Sequence, residues 1–148
     1  AYVLGEHGDS SMVPWSTANI SNVPVLEYSK SFKKPDMLIP ELNLNEVEEY
    51  MRKSGARVIE RKGATFYAVA ISVCHICKCI LNGSGTALTV STMMHGEYGV
   101  DDVCLSALAL VGSDGVQTKI TTPLTPEETQ KMQASAQKLR EIIDGLEI

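Results

Sequence analysis

An almost continuously apolar run, residues 66–81, places the strongest constraint on how this chain can fold. Ser72, His75 and Lys78 interrupt it. A helix that is apolar nearly all round belongs inside a folded body, so the run predicts a buried helix that begins near Thr65. A membrane span is the alternative, but the run is short and carries Lys78, which disfavours that interpretation.

The pattern of apolar residues changes after Gly83. Residues 87–94, 103–111 and 116–121 have the composition of strands, and short turns at 95–99 and 112–115 separate them. Short turns join neighbouring antiparallel strands, so these three segments predict an antiparallel meander. Gly83-x-Gly85 follows a helix rather than a strand and is therefore not a dinucleotide-binding fingerprint.

Two more helices are predicted on either side of this block. Asn45 is a candidate N-cap, Glu48 follows three residues later, and Gly63 is a candidate stop. The second of these helices is predicted after Thr125-Pro126-Glu127-Glu128, which combines an N-cap, a proline at the first position and an acid at the third. Its apolar stripe consists of Met132, Ala136, Leu139, Ile143 and Leu146.

Residues 11–45 carry few regular signals and four prolines. Residues 15–20 are compatible with a strand or an extended arm. Residues 30–36 predict a polar loop in which Lys33 and Lys34 are solvated.

The composition is that of an ordinary globular domain. The chain has 148 residues, of which 44% are hydrophobic and 21% charged, and its net charge is −5. This length suits one domain, and a negative charge argues against nonspecific binding to nucleic acid. The chain begins inside a predicted strand, residues 2–4, which favours interpreting it as a fragment of a longer polypeptide.

A cluster of cysteines raises the question of a metal site. Cys74, Cys77 and Cys79 lie beside His75, and Cys104 stands alone. In a helix Cys74 and Cys77 share a face while His75 and Cys79 point elsewhere, and no second ligand pair follows. We therefore predict buried thiols in a reducing cytoplasm and no metal.

The most distinctive polar stretch is Gly5-Glu6-His7-Gly8-Asp9-Ser10. Glycines permit sharp backbone bends, and imidazole has an ordinary pKa near neutrality, which suits a general acid and base. A loop histidine among solvated carboxylates is the alternative. Asp9 and Ser10 are predicted to stabilise the loop, and Glu6 either does the same or faces solvent.

This stretch, together with Val13-Pro14-Trp15-Ser16, resembles the active-site segment of the NAD-dependent L-lactate dehydrogenases, in the lactate/malate dehydrogenase family. The likeness continues through Lys62-Gly63-Ala64-Thr65-Phe66-Tyr67, in a form typical of bacterial members. Leu88-Thr89-Val90-Ser91 and Glu97-Tyr98-Gly99 extend it. It covers essentially the whole chain.

The resemblance implies an α+β fold, the C-terminal substrate domain of that family, with long helices packed on a twisted, largely antiparallel sheet. It implies that His7 donates and accepts the proton that accompanies hydride transfer. It further implies that Thr65 lies beside the substrate and that Val69 offers apolar surface to the nicotinamide. Thr65 as a helix N-cap and Val69 as plain core are the alternatives.

The resemblance also implies residues outside this chain. The N-terminal Rossmann domain, which binds most of the NAD, is expected to be absent from it, as are the arginine that pairs with the substrate carboxylate and the aspartate that orients the histidine. The expected full-length enzyme is a cytoplasmic homotetramer that interconverts pyruvate and L-lactate in fermentation. The chain alone is expected to be inactive.

Other functions stay open at this stage. Glu6 and Trp15 favour lactate over malate as the substrate, while 2-hydroxyisocaproate dehydrogenases resemble the same stretch. A noncatalytic assembly domain is the alternative from a different class.

Overall fold

The structure is a computed structural model that describes residues 1–32 and 42–146. Its elements in chain order are β1 (Asn19–Ile20), β2 (Val23–Pro24), α1 (Val25–Tyr28), α2 (Leu44–Arg52), α3 (Ser54–Lys62), α4 (Tyr67–Asn82), β3 (Thr86–His95), β4 (Asp101–Gly112), β5 (Gly115–Lys119) and α5 (Pro126–Asp144). Three single turns of 3-10 helix occur at Trp15–Thr17, Ser29–Ser31 and Glu97–Gly99.

The main sheet is the predicted antiparallel meander, with strand order β3-β4-β5. Val90 pairs with Ala107 between β3 and β4, and Gly112 pairs with Gly115 across the tight turn into β5. β4 is the central strand, and most of its residues are buried. The other elements therefore pack mainly on β4.

The hydrophobic core lies between β4, α5 and the first residues of the chain. Its buried members are Leu4, Met12, Met94, Val100, Val103, Leu105, Ala107, Met132 and Ala136. Leu4 joins this core through a single bridge to Met12, while Tyr2 and Val3 remain exposed. The predicted strand at residues 2–4 is thus reduced to an isolated bridge.

Helix α5 begins as its sequence predicts. The Thr125 hydroxyl accepts a hydrogen bond from the Glu128 N–H at 3.2 Å, and the Glu128 carboxylate accepts one from the Thr125 N–H at 2.9 Å. This reciprocal capping box satisfies two N–H groups that have no partner within a helix. Only the first half of the predicted apolar stripe is buried, because Ile143 is exposed.

The region predicted as one helix from Asn45 to Gly63 is divided into α2 and α3. The N-cap is Asn43 rather than Asn45, and its side chain accepts a hydrogen bond from the Glu46 N–H at 3.4 Å. Lys53, with φ −84° and ψ −2°, lies between the two helices. Gly63 ends α3 as predicted, because its φ of +76° lies in the left-handed region that glycine adopts without strain.

Helix α4 occupies the predicted position, but the prediction that it is buried was wrong. Exposed fractions reach 69% at Tyr67, 72% at Ile71 and 84% at Leu81, and Cys79 is the one buried residue of the helix. α4 packs on β4. The apolar composition of a helix such as α4 predicts that its surface is buried, but it does not predict that residues of the same chain bury it. Over residues 1–32 and 42–146, no helix is both long and apolar enough to cross a membrane.

The cysteine prediction also needs correction. Cys79 is buried, whereas Cys74, Cys77 and Cys104 are exposed. No group of three or more histidine, cysteine or acidic side chains is placed to hold a metal within the described part of the chain.

The region before α2 combines short elements. Residues 15–20 form a 3-10 turn followed by β1, rather than one strand or an extended arm. Lys30 is exposed in the turn Ser29–Ser31. The remainder of the predicted polar loop, including Lys33 and Lys34, lies outside the described residues.

Candidate active site

His7 is exposed at the tip of a tight turn formed by residues 5–11, here called the His7 turn. The start of the turn is hydrogen-bonded to β4. The Gly5 N–H donates to the Ser106 carbonyl at 3.0 Å, and the Ser106 N–H donates to the Gly5 carbonyl at 2.8 Å. The bridge between Leu4 and Met12 closes its base. The fold therefore fixes both ends of the turn and leaves the imidazole accessible.

A larger residue would meet a different obstacle at each of the two glycines of the turn. Gly5 has φ +95°, which favours glycine, and a Cβ there would also lie 2.9 Å from the Ser135 hydroxyl. The φ of Gly8 is not positive. A Cβ on Gly8 would instead lie 2.0 Å from a carboxylate oxygen of Glu6. A side chain at position 8 would therefore require the Glu6 carboxylate to move, which the sequence does not reveal.

Hydrogen bonds within the turn come from Glu6, Ser10 and Ser11. The Glu6 carboxylate accepts from the Ser10 N–H at 3.2 Å and also from the Ser10 hydroxyl. The Ser11 hydroxyl donates to the Gly8 carbonyl at 2.8 Å. The predicted stabilising role of Ser10 is confirmed, and Glu6 takes the first of its two predicted roles. Asp9 is exposed and forms no hydrogen bond within the described residues, so its predicted role was wrong.

A second set of contacts ties the turn to α2. Arg52 donates to the Ser11 carbonyl at 2.9 Å and to the Glu48 carboxylate at 3.1 Å. The other oxygen of Glu48 accepts the indole N–H of Trp15 at 2.7 Å. Glu48 is buried, and both its oxygens are satisfied. The sequence suggested a capping role for Glu48 because it reveals local spacing but not partners 33 residues away.

A third contact joins the segment after the turn to the start of α5. Glu128 accepts from the Ser16 N–H at 3.0 Å and from the Ser16 hydroxyl at 2.5 Å. Burial raises the pKa of Glu128, but the hydrogen bonds from Ser16 and Thr125 outweigh it and leave the pKa below its ordinary value. Glu128 therefore caps α5 and holds the Ser16 backbone at the same time.

Thr65 and Val69 lie apart from these contacts. Thr65 is exposed in the connection between α3 and α4, and it does not cap α4, whose N-cap is Phe66 without a side-chain hydrogen bond. Val69 is exposed on the first turn of α4, so it is not plain core. Among the described residues, no hydrogen bond joins either side chain to the His7 turn. Thr65 thus exposes its side chain, and Val69 presents apolar surface.

Comparisons with known proteins agree with this architecture. Residues 1–147 match the family model described as the lactate/malate dehydrogenase, alpha/beta C-terminal domain. The L-lactate dehydrogenase of Acetivibrio thermocellus is 36% identical over 148 residues, which are all of this chain and 46% of that protein. An L-lactate dehydrogenase of Streptococcus pneumoniae is 40% identical over 144 residues, 97% of this chain and 43% of that protein.

Solved structures resemble the fold over nearly its whole length. A lactate dehydrogenase, MGS-M5, from a Medee basin deep-sea metagenome library has a TM-score of 0.88 at 30% identity, covering 97% of this chain and 45% of that one. The minor L-lactate dehydrogenase of Enterococcus mundtii has a TM-score of 0.86 at 32% identity, covering 99% and 46%. The chain spans less than half the length of the relatives it matches. With its helices packed on an antiparallel meander and a family model matched from end to end, the chain belongs to the lactate/malate dehydrogenase family as its alpha/beta C-terminal domain.

Proposed function

We propose that this chain is the substrate domain of a longer L-lactate dehydrogenase, which interconverts pyruvate and L-lactate with NADH and NAD. The observation that carries the proposal is the His7 turn, where an accessible imidazole stands on a backbone held from β4, α2 and α5. Such an arrangement suits a group that must reach a substrate with little freedom of position. The relatives are L-lactate dehydrogenases, which supports the choice of reaction.

His7 is proposed to move the proton of the reaction. The protonated imidazole donates a hydrogen bond to the ketone oxygen of pyruvate and transfers the proton as that oxygen becomes the hydroxyl of lactate. In the reverse direction the neutral imidazole accepts the hydroxyl proton. Proton transfer by a positioned side chain contributes about 10²–10⁴-fold to the rate.

The two remaining site residues are proposed to bind ligands. The exposed hydroxyl of Thr65 would hydrogen-bond the substrate, and Val69 would contact the nicotinamide. Apolar exposed side chains on the first turn of α4, Tyr67 among them, suit the flat face of such a ring. NADH supplies the hydride when bound, and most of its contacts are proposed to come from polypeptide outside this chain.

The acid that orients His7 is also proposed to lie outside this chain. The Glu6 carboxylate accepts hydrogen bonds from Ser10, and Asp9 makes no contact with the imidazole among the described residues. A histidine without an acidic partner loses control of its tautomer, an effect of about 10⁴-fold in a comparable triad. We therefore expect the 148-residue chain alone to be inactive.

The assembly proposal concerns α4. Its apolar side chains Tyr67, Val69, Ile71, Val73 and Leu81 are each more than half exposed, which supports a covered position in a homotetramer. The same face supports the alternative of a noncatalytic assembly domain. Sedimentation of the chain with and without its nucleotide-binding half tests whether association depends on this face.

The decisive experiment is the substitution His7→Asn in the full-length enzyme. We expect turnover of pyruvate with NADH to fall about 10²–10⁴-fold, because asparagine does not titrate near neutral pH. The matched control is His95→Asn, which removes another exposed imidazole at the end of β3. Full activity in the His7 variant would refute the proposed mechanism.

The substrate is tested separately. Relative turnover of pyruvate, oxaloacetate and 2-oxoisocaproate by the full-length enzyme separates lactate, malate and 2-hydroxyisocaproate dehydrogenases. We expect pyruvate to be preferred, and a preference for either of the other two acids would reassign the enzyme within its family.

A further inference from the structure

The His7 turn is closed by a ring of hydrogen bonds that passes through α5. The Glu6 N–H donates to the Ser135 hydroxyl oxygen at 2.8 Å. The Ser135 and Ser10 hydroxyl oxygens lie 3.1 Å apart. The Ser10 hydroxyl donates to the Glu6 carboxylate. The ring therefore begins and ends on Glu6, the residue immediately before His7.

Elementary chemistry fixes the direction of every hydrogen bond in this ring. An ionised carboxylate can only accept hydrogen bonds, so the Ser10 hydroxyl donates its one hydrogen to Glu6. A backbone N–H only donates, so the Ser135 oxygen accepts from Glu6. The remaining contact between the two serines then requires Ser135 to be the donor. Each hydroxyl donates once and accepts once, which orients both of them.

Ser135 is also enclosed by its surroundings. It is fully buried, so water does not compete for its hydroxyl. The Gly5 backbone approaches so closely that a Cβ there would lie 2.9 Å from the Ser135 oxygen and 3.4 Å from its Cβ. Ser135 is therefore the residue through which α5 holds the backbone at Gly5 and Glu6.

We propose that Ser135 is a positioning residue for proton transfer by His7, an inference that rests on the proposed function. Ser135 touches neither substrate nor imidazole in this arrangement. It holds the amide of Glu6, and this fixes the direction in which the next residue, His7, leaves the turn. Misplacement of a reacting group by about 1 Å can cost about 10²-fold in rate, so loss of this anchor affects the chemical step.

The test is Ser135→Ala in the full-length enzyme. We expect kcat for pyruvate reduction to fall about 10-fold or more, while KM for NADH changes less than about twofold, since most NADH contacts are proposed to lie elsewhere. A general loss of structure would alter both parameters. The same-helix control is Gln137→Ala, which removes only a contact to Glu141 on the solvent side of α5 and should retain full activity.

A double-mutant cycle tests the ring itself. Ser10→Ala should lower kcat as Ser135→Ala does, and the double variant should be no worse than the more damaging single variant, because the ring is broken only once. Ser10 is half-buried, so Ser10→Ala decides the question even if Ser135→Ala fails to fold. If the loss of kcat in the double variant equalled the combined losses of the two single variants, the proposed coupling through the ring would be refuted.

A second readout does not need turnover. In the 148-residue chain, amide hydrogen exchange at Glu6 should accelerate at least about 10-fold in Ser135→Ala and stay unchanged in Gln137→Ala. Unchanged exchange at Glu6 would overturn the proposal. An inactive His7→Asn enzyme together with a fully active Ser135→Ala enzyme would refute the role of Ser135 and leave the proposed function intact. An active His7→Asn enzyme would refute the proposed function itself.

Discussion

The His7 turn and helix α4 carry the proposed site residues, yet they are supported in opposite ways. The turn is polar and exposed at its tip, but side chains of α2 and α5 bind its backbone at Ser11 and Glu6. α4 is apolar and packs on β4, with Ile71 and Leu81 facing outward. The hydrogen bonds that hold the turn backbone thus come from described residues of this chain, whereas α4 presents an apolar surface that none of the described residues covers.

This difference indicates how the two halves of the proposed site are built. The backbone that carries the proposed proton-transferring group, His7, is positioned by directional hydrogen bonds from α2 and α5. The surface beside Thr65 and Val69 depends on non-directional apolar contact, which any complementary surface can complete. The comparison predicts that substitutions under the turn destabilise the isolated chain, while substitutions on α4 do not.

The largest expected effect contrasts Met132→Ala with Ile71→Ala. Met132 is fully buried in the core beneath the His7 turn, so its truncation should lower the free energy of unfolding by about 3 kcal/mol. Ile71 is 72% exposed, and its truncation should change the free energy by less than about 0.5 kcal/mol. Urea denaturation of the 148-residue chain measures both. Equal losses would show that α4 is covered in solution.

An intermediate effect is expected for Glu48→Ala, which removes the tether that Glu48 forms between α2 and Trp15. The variant leaves the Trp15 indole N–H and the Arg52 guanidinium without their buried partner, and we expect a loss of about 2 kcal/mol in the free energy of unfolding. Glu49→Ala is the matched control, since Glu49 pairs with Lys53 in full contact with solvent. Its urea midpoint should equal that of the wild type. Similar midpoints for both variants would contradict the tether.

The smallest expected effect is a dependence of stability on pH, which we expect for the contacts of Glu128 and not for α4. The lowered pKa of Glu128 means that its contribution to stability is present above the ordinary value of 4.5 and is lost as the pH falls below it. The difference in thermal midpoint between wild type and Glu128→Gln should therefore narrow as the pH falls from 7 to below 4.5. α4 contains no acidic residue, so amide exchange along it should not follow this trend. A difference that stays constant with pH would contradict the role of Glu128.

Glu97 provides an independent check on the same reasoning. A hydrogen bond from Lys119, at 2.8 Å, lowers the pKa of Glu97 to about 2. This pair lies at the edge of the sheet, away from both regions compared here. Its contribution to stability has the same sign as that of Glu128 and is lost between pH 4.5 and about 2.

Local signals in the sequence were sufficient where a structure is decided by neighbouring residues. Thr125 and Glu128 lie three positions apart and cap α5 as predicted, and Gly63 ends α3. The short turns after Gly83 likewise produced the antiparallel meander. In each case the stabilising contact is made within a few residues, so its chemistry is visible in the chain itself.

Local signals failed where packing competes with them. Asn43 rather than Asn45 caps α2, and Lys53 interrupts a helix that the spacing predicted to continue. The same limitation applies to burial, because α4 has the composition of a core helix without the neighbours that would bury it. The apolar composition of a helix indicates how much free energy is gained when its surface is buried. Whether the surface is buried depends on where the other elements of the fold lie.

By itself, the sequence predicted the meander from short spacing, and its resemblance to a known family predicted the family and the candidate role of His7. Only the tertiary structure decided that Ser135 and Arg52 hold the turn and that Glu48 joins α2 to Trp15, since these partners are 33 to 129 residues apart. Hydrogen bonds require atoms within about 3 Å of one another. Folding alone creates such proximity between distant parts of a chain, which is why the sequence identifies a candidate residue, His7, but not the residues that hold it in place.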